Sequence, residues 1–369
     1  MIKEQEELGL YHWHALRLRD RVRHIDLTLP PTILHKVFAL LDDHFPILEH
    51  LSLTSSATSE NDIPFTLPKA FLAPNLRHLT LPCISPPRRL QLLTSAVSLV
   101  TFELSNIQTS GYFHPKLLVA RLRSLPQLKE LYIGFSISIP YSNTERELLG
   151  LGGLGTPTTL PSLKYLWFRG DSAYLDSLVA QIRVPLLERL GITLFNEIAF
   201  ALPHLSYLIN ITDAFKLPTA EVCFYRNEVY VTVHDSPKSG PLSFRIICTS
   251  LARKVDCAAQ ICHGLIPALS CVEKLTLYCK DRDISSELRY GAIDSATWHN
   301  LLRSFIGVKG LYIDKRLLEG LSQALQVDEV GLDPGFLPNL RFIRAKHDMF
   351  SAFINTRQVA GRPVEFVMR

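Results

Sequence analysis

The sequence predicts a single α/β solenoid, in which short parallel strands stack side by side and a helix carries the chain from each strand to the next. Three observations predict it. One apolar pattern recurs along the 369 residues, amphipathic helical stripes fall between its copies, and nothing in the composition divides the chain. Hydrophobic residues make up 47 % and charged residues 20 %, a mixture that can bury a large core and does not resemble a disordered chain.

The pattern is an apolar residue, two variable residues, a second apolar residue, one variable residue and a third apolar residue. It reads VRHIDL (Val22, Ile25, Leu27), LEHLSL (Leu48, Leu51, Leu53) and LRHLTL (Leu76, Leu79, Leu81) in the first part of the chain. It continues as LVTFEL from Leu99, LKELYI from Leu128, LKYLWF from Leu163 and LERLGI from Leu187, with a degraded copy in LSYLIN from Leu205. It returns as VEKLTL from Val272, VKGLYI from Val308 and LRFIRA from Leu340. This is the signature of a leucine-rich repeat: each unit supplies a short parallel strand whose second and third apolar residues point inward while the residue between them faces solvent. A proline often opens the unit, as in FPILEHL, APNLRHL, LPQLKEL, LPSLKYL and LPNLRFI. It is read there as the start of an extended strand, where no amide donor is needed.

Units spaced by about 23 to 36 residues leave room for real helices between the strands. Thr32 to Phe45 puts Leu34, Val37, Phe38 and Leu41 on one stripe, with Thr32 as the expected N-cap. Arg89 to Val97, Pro115 to Leu125, Ser172 to Ile182, Val255 to Leu269, Ser295 to Phe305 and Leu317 to Leu325 carry similar stripes. Strand, turn, helix, turn and strand in one rotational sense give right-handed crossovers. The expected fold is therefore a leucine-rich-repeat solenoid, a curved horseshoe with parallel strands on the concave face and helices on the convex face. Its expected segments are an N-terminal helix or cap at 1–20, repeats at 21–212, an irregular β-rich section continuous with the solenoid at 213–254, and C-terminal repeats with a cap at 255–369. The β-rich section rests on AEVCFY, EVYVTV and LSFRIICT, which alternate around RNE and HDSPKSG and read as extra rungs or a hairpin attached to them. Tyr141 to Thr159, polar and glycine-rich, reads as a surface loop without a fixed core.

The 39 basic and 35 acidic residues are mixed along the chain and leave a net charge of +4, too weak an excess to point to nucleic acid or a lipid surface. No apolar run approaches the roughly 20 residues that cross a bilayer, and MIKEQEELGL is too polar for a signal peptide. A soluble chain of the cytoplasm or nucleus is expected. Seven cysteines without a CxxC pair fit reduced, mostly buried thiols better than a disulfide framework. In that compartment the Asn210-Ile211-Thr212 sequon is not expected to carry sugar.

Gly150, Gly152 and Gly155 satisfy GxGxxG, but NTERELL before them and TPTTLPS after them replace the strand and helix that a dinucleotide site needs. A flexible loop is expected. His12 and His14, and the set Cys257, Cys262, His263, Cys271 and Cys279, lack convergent ligand spacing, while Asp281 and Asp283 are too few carboxylates for calcium. GxSxG, HExxH and the phosphate-binding GxxxxGK motif are absent from the sequence. No catalytic, metal-binding or cofactor-binding residue is therefore assigned, no cofactor is expected, and the chain reads as a binding protein without an enzymatic activity.

The chemistry lies instead at the variable positions flanking the second apolar residue of each strand. These begin as His24, Asp26, His50, Ser52, His78, Thr80, Thr101 and Glu103. They then turn aromatic and basic. Tyr132, Tyr165, Trp167, Arg169, Arg189, Tyr278, Tyr312 and Arg344 are the candidate partner-binding residues of the concave face, because aromatics and arginine dominate binding hot spots. Phe342 stands among them. Tyrosine and tryptophan also suit strands for packing reasons alone, and the irregular middle section would cover them if it folded across the face.

On these residues the chain resembles the fungal, basidiomycete-type F-box/leucine-rich-repeat proteins with divergent repeats. The resemblance covers most of the chain. It is carried by RVRHIDL with the following helix and HFPILEHLSL, by CTSLARKVDCAAQICHGLIPALSCVEKLTLY, and by ATWHNLLRSFIGVKGLYIDKRLLEGLSQAL, FLPNLRFIRA and FINTRQVAGRPVEF. It implies a substrate-recognition module of a ubiquitin-ligase receptor, with a protein substrate on the repeats and an N-terminal F-box docking the ligase adaptor. LPPTILHKVFALLDDHFP from Leu29 resembles an F-box opening, yet it is one helix between two repeat strands, and residues 1–20 are too short for the whole domain. Adaptor contact is thus expected only if an F-box exists elsewhere. A stand-alone repeat scaffold is the second reading and an unrecognised enzyme the third.

Overall fold

The computed structural model describes residues 18–39, 44–56, 67, 71–84, 91–138, 156–195, 202–235, 240–280, 293–326, 336–346 and 349–368. The chain divides into two compact units, Met1–Gly170 with Ser177–Leu187 and Asp171–Asp176 with Glu188–Arg369.

In the first unit β1 (His24–Leu29), β2 (His50–Ser55), β3 (His78–Pro82), β4 (Thr101–Ile107), β5 (Glu130–Phe135) and β7 (Tyr165–Gly170) pair in chain order, every pair parallel. A separate ribbon joins β6 (Thr158–Thr159) to β8 (Ile182–Arg183). Thr158 is buried, which corrects the reading of Tyr141 to Thr159 as loop throughout. The rungs step by whole repeats, Ile25 beside Leu51, then Leu79, Phe102, Leu131 and Leu166, and none of these side chains is more than 3 % exposed. The two-residue period of a strand forces this: every second residue enters the core and its neighbours cannot.

The same turn precedes most of the repeat strands. The amide of the first apolar residue of the unit donates to the carbonyl three residues earlier, as Leu76 to Ala73 (3.2 Å), Leu128 to Leu125 (3.2 Å), Leu187 to Val184 (3.2 Å), Val308 to Phe305 (3.3 Å) and Leu340 to Leu337 (3.1 Å). Pro74, Pro126, Pro185 and Pro338 occupy the second position of these turns, where a fixed φ near −65° is already the required value. The prolines therefore set the turn and do not begin the strand. At three of these turns the third residue ties neighbouring repeats: Asn75 Nδ2 donates to the Pro46 carbonyl (2.6 Å), Ser162 Oγ to that of Pro126 (2.9 Å) and Asn339 Nδ2 to that of Ile306 (3.0 Å).

The helices fall where the apolar stripes predict them, at Pro31–Ala39, Gln91–Ser95, Pro115–Leu122, Ser172–Val179, Leu251–Gly264, Ile266–Leu269, Ser295–Arg303 and Leu318–Gln326. Thr32 is not the cap of the first. That helix begins at Pro31, whose missing amide costs nothing in a first turn, and the Pro30 carbonyl accepts from Ile33 and Leu34 (3.0 Å each). His114 caps Pro115–Leu122, its Nδ1 accepting from the Lys116 amide at 3.2 Å.

The second unit contains β9 (Arg189–Phe195), β10 (Thr219–Tyr225), β11 (Glu228–His234), β12 (Leu242–Ile247), β13 (Lys274–Cys279), β14 (Gly310–Ile313), β15 (Phe342–Ala345) and β16 (Glu365–Met368). They lie in the order β9-β12-β11-β10-β13-β14-β15-β16. β10 runs parallel to β13 three places away from β9, and β11 and β12, each antiparallel to the strand before it, fill the gap, β12 ending parallel to β9. The irregular middle section is thus a three-stranded meander built into the sheet, with Val222, Val231 and Phe244 in register and buried.

LSYLIN is not a rung. Leu205 to Asn210 lies in the helix Pro203–Ile211, whose buried residues Leu205, Leu208 and Ile209 follow helical and not strand spacing. Its cap comes from another helix: Asp176 Oδ1 accepts from the amides of His204 and Leu205 (3.0 Å each), and Oδ2 meets His204 Nδ1 at 2.8 Å. At the other end of the unit the helix Ser351–Val359 precedes β16, and buried Arg357 donates to the carbonyls of Phe336 (3.1 Å) and Leu337 (3.0 Å).

Candidate functional site

Every strand of the repeat type leaves one set of side chains out of the core. In the first unit four of the candidate residues meet there. Register sets Tyr132 of β5 beside Trp167 of β7, Glu130 beside Tyr165, and Gly134 beside Arg169. Tyr132, Tyr165, Trp167 and Arg169 are all half-buried, as side chains lying on a sheet surface are. The indole lies close over Gly134, where an added Cβ would come within 3.1 Å of Trp167 Cζ3. A side chain at that position would crowd the ring, and glycine leaves it room. On β4 the same face carries Glu103, in register with Tyr132 and accepting from Ser105 Oγ at 2.8 Å.

Arg189, at the start of β9, is exposed and belongs to the second unit, with Tyr278, Tyr312 and Arg344. Tyr312 faces Arg344 in register and makes a T-shaped contact with Phe342 at 5.7 Å and 86°. The Lys274 ammonium sits 4.6 Å from the Tyr312 ring centroid. Tyr278 is joined by residues that the repeat pattern does not mark. Tyr225 and Tyr230 pack at 5.0 Å, the Arg245 guanidinium lies 5.4 Å from the Tyr230 centroid, and the Lys280 ammonium lies 5.2 Å from Tyr225 and 5.6 Å from Tyr278. Glu228 holds Arg245 at 2.6 Å through Nε and 2.5 Å through Nη2. Tyr225, Glu228, Tyr230 and Arg245 come from the meander, where no L-x-x-L-x-L copy exists, and Lys280 follows β13; the alternation of AEVCFY and EVYVTV, which puts Cys223, Tyr225 and Tyr230 on one face, is the signal that marks the meander residues.

The thiol among these rings is poorly suited to nucleophilic chemistry. Burial pushes the Cys223 thiol up to about 11, against hydrogen bonds from Tyr225 and Tyr278 that pull it down, so it stays a thiol at neutral pH. Burial also pushes the Tyr278 hydroxyl up to about 12, reinforced by Cys223 and Glu221. Cys257, Cys262 and Cys279 are buried, Cys271 and His263 exposed. Among the described residues no three His, Cys, Asp or Glu side chains are arranged to hold a metal ion, and no helix is long and apolar enough to cross a membrane. His12, His14, Gly150, Gly152, Gly155, Asp281 and Asp283 lie outside the described residues.

No protein-family model matches the chain, and no curated protein matches it. Among solved structures, the leucine-rich repeat-containing protein LegL7 from Legionella pneumophila is similar over 94 % of this chain and 92 % of that one, at 14 % identity and a TM-score of 0.31. The structure of a TLR13–ssRNA13 complex is similar over 90 % of this chain and 43 % of that one, at 15 % identity and a TM-score of 0.30. The α/β leucine-rich-repeat fold of this chain is written in its own repeating strands, registers and turns.

Proposed function

We propose that the chain is a protein-binding scaffold, whose partner sits on the solvent-facing side of the repeat strands and is neither nucleic acid nor membrane. The observation that carries the reading is the group of Tyr132, Tyr165, Trp167 and Arg169 on β5 and β7, with Gly134 making room for the indole. Large aromatic rings and an arginine, adjacent and outside the core, are the side chains that concentrate binding energy. Arg189, Tyr278, Tyr312 and Arg344 extend the candidate set in the second unit. The finer role is substrate recognition of the kind performed by F-box ubiquitin-ligase receptors, in the cytoplasm or nucleus, which the resemblance in the repeats and the odd count of cysteines support. No chemical turnover is part of it.

Trp167→Ala is expected to weaken the captured partner by about 2 kcal/mol or more, roughly thirty-fold, while far-ultraviolet circular dichroism stays that of the parent. Unchanged affinity removes Trp167 from the face. Affinity capture with and without added ligase adaptor separates the receptor from a stand-alone scaffold. If the adaptor never co-purifies with the full-length protein, the scaffold reading replaces the receptor.

A further inference from the structure

The binding face of the first unit has a second half. On β1, β2 and β3 the imidazoles of His24, His50 and His78 stand in register and stack, with centroids 5.3 Å and 4.3 Å apart and the second pair nearly parallel at 7°. The same row continues as Thr101, Glu130 and Tyr165. Thr101 Oγ1 links the two halves, 3.2 Å from His78 Nδ1 and donating to Glu130 Oε2 at 3.4 Å. Three imidazoles this close repel one another once protonated.

The charge on this face follows from its residues. Among those described on β1–β5 and β7, Asp26, Glu103 and Glu130 carry three negative charges and Arg169 one positive. The face is two charges negative with neutral imidazoles and one positive with all three protonated. Arg23, Arg77, Lys129 and Lys164 stand one residue before the row, Arg23 with Glu49 at 3.6 Å. Their charges do not change between neutral and mildly acidic pH, so the histidines alone set the change. Burial, then His50, lowers the His78 pKa, with Arg77 adding to this and Glu130 opposing it.

Resting on the binding reading above, we propose that this face receives a basic protein segment at neutral pH, its lysine or arginine side chains seated on Tyr132, Tyr165 and Trp167 beside Glu103 and Glu130, and that protonation of His24, His50 and His78 drives it off. A cation over an aromatic face with a carboxylate alongside is the arrangement that recognises such side chains. An acidic segment would meet two carboxylates at the same place. Of the row, His78 lies nearest, one strand from β4 and two from β5, roughly 5 to 10 Å, about the distance over which physiological salt leaves charges felt, with His50 and His24 stacked farther out.

The test uses the full chain and two labelled peptides of equal length, one alternating glycine with arginine and one alternating glycine with glutamate. Fluorescence anisotropy is read near pH 7.5 and in steps down to about pH 5, passing the ordinary histidine pKa of about 6.5 and continuing below it because the His78 pKa is lowered. The arginine peptide is expected to bind more tightly at the higher pH and to lose about ten-fold at the lower. Replacing His24, His50 and His78 together by Gln removes the loss, bringing the ratio of the affinities at the two ends of this range close to one. His50→Gln, which breaks the row at its centre, serves in its place if circular dichroism shows the triple variant unfolded. Glu103→Gln with Glu130→Gln, and Trp167→Ala, each weaken the arginine peptide at neutral pH.

No binding of the arginine peptide at neutral pH, tighter binding of the glutamate peptide, or an acid loss that survives in the histidine variants would each overturn the proposal. If Trp167→Ala weakens the glutamate peptide instead, the binding face stands and the basic partner falls. If Trp167→Ala alters neither peptide, the face falls as well.

Discussion

Leu79 has no exposed surface, and its register partners Leu51 and Phe102 are buried on either side of it. Leu79→Ala is expected to cost about 2 to 5 kcal/mol in urea unfolding, since the neighbouring rungs cannot collapse into the gap. A near-neutral result would break the register. His114 works differently. Its neutral ring accepts from the Lys116 amide, and a protonated ring could not accept there and would place a cation at the positive end of a helix. Burial and Lys116 lower its pKa, and burial and His50 lower that of His78. The folded chain therefore binds fewer protons than the unfolded one just below the ordinary histidine pKa. The stability that these two groups contribute is full above about pH 6.5, falls as pH drops from there toward their folded pKa, and levels off below it. His114→Asn keeps an acceptor that does not titrate and should flatten its share of this fall in unfolding curves taken across the range. An unaltered curve would deny the cap its role.

At the scale of elements, the strands and most helices are legible because each obeys a period, two for Leu51 and Leu53, and helical spacing for Leu34, Val37 and Phe38. Leu205 to Asn210 shows where this fails. LSYLIN satisfies the strand pattern at Leu205 and Leu208 and the helix pattern at Leu205, Leu208 and Ile209, and what decides is Asp176, a residue far away in sequence that satisfies the helix's first amides. Asp176→Ala is expected to cost about 1 to 2 kcal/mol and to lower the helicity of Pro203–Ile211, read by amide exchange in that segment. Exchange unchanged from the parent would show that packing alone holds the helix. The candidate site was half legible in the same way: Trp167 and Tyr132 follow from the repeat, whereas Tyr225, Tyr230, Arg245 and Lys280 come together only because β10, β11, β12 and β13 pair as they do.

In the whole molecule, a repeat array is stabilised rung by rung by its neighbours. β16 ends the strand order of the second unit and contains no buried residue, whereas β13 buries Leu275, Leu277 and Cys279 between β10 and β14. Native-state amide exchange should therefore find β16 the least protected strand of that unit and β13 among the most protected. Equal protection of the two would mean that the unit opens only as a whole. Arg357, buried and bonded to the carbonyls of Phe336 and Leu337, fastens the helix before β16 and not the strand itself.

What the sequence determined by itself is the repeat: which residues enter the core, where helices return the chain, and which side chains are left outside. These are local consequences of period and steric preference, and they survive any choice of neighbour. The tertiary structure decided the neighbours. That β10 pairs with β13, that β11 and β12 run back to fill the space, and that three histidines from three repeats stack into one row are matters of pairing between distant strands. Alternation fixes the face of a strand but not its partner or direction, because hydrogen bonds and apolar burial can be satisfied in either sense until the whole sheet is built.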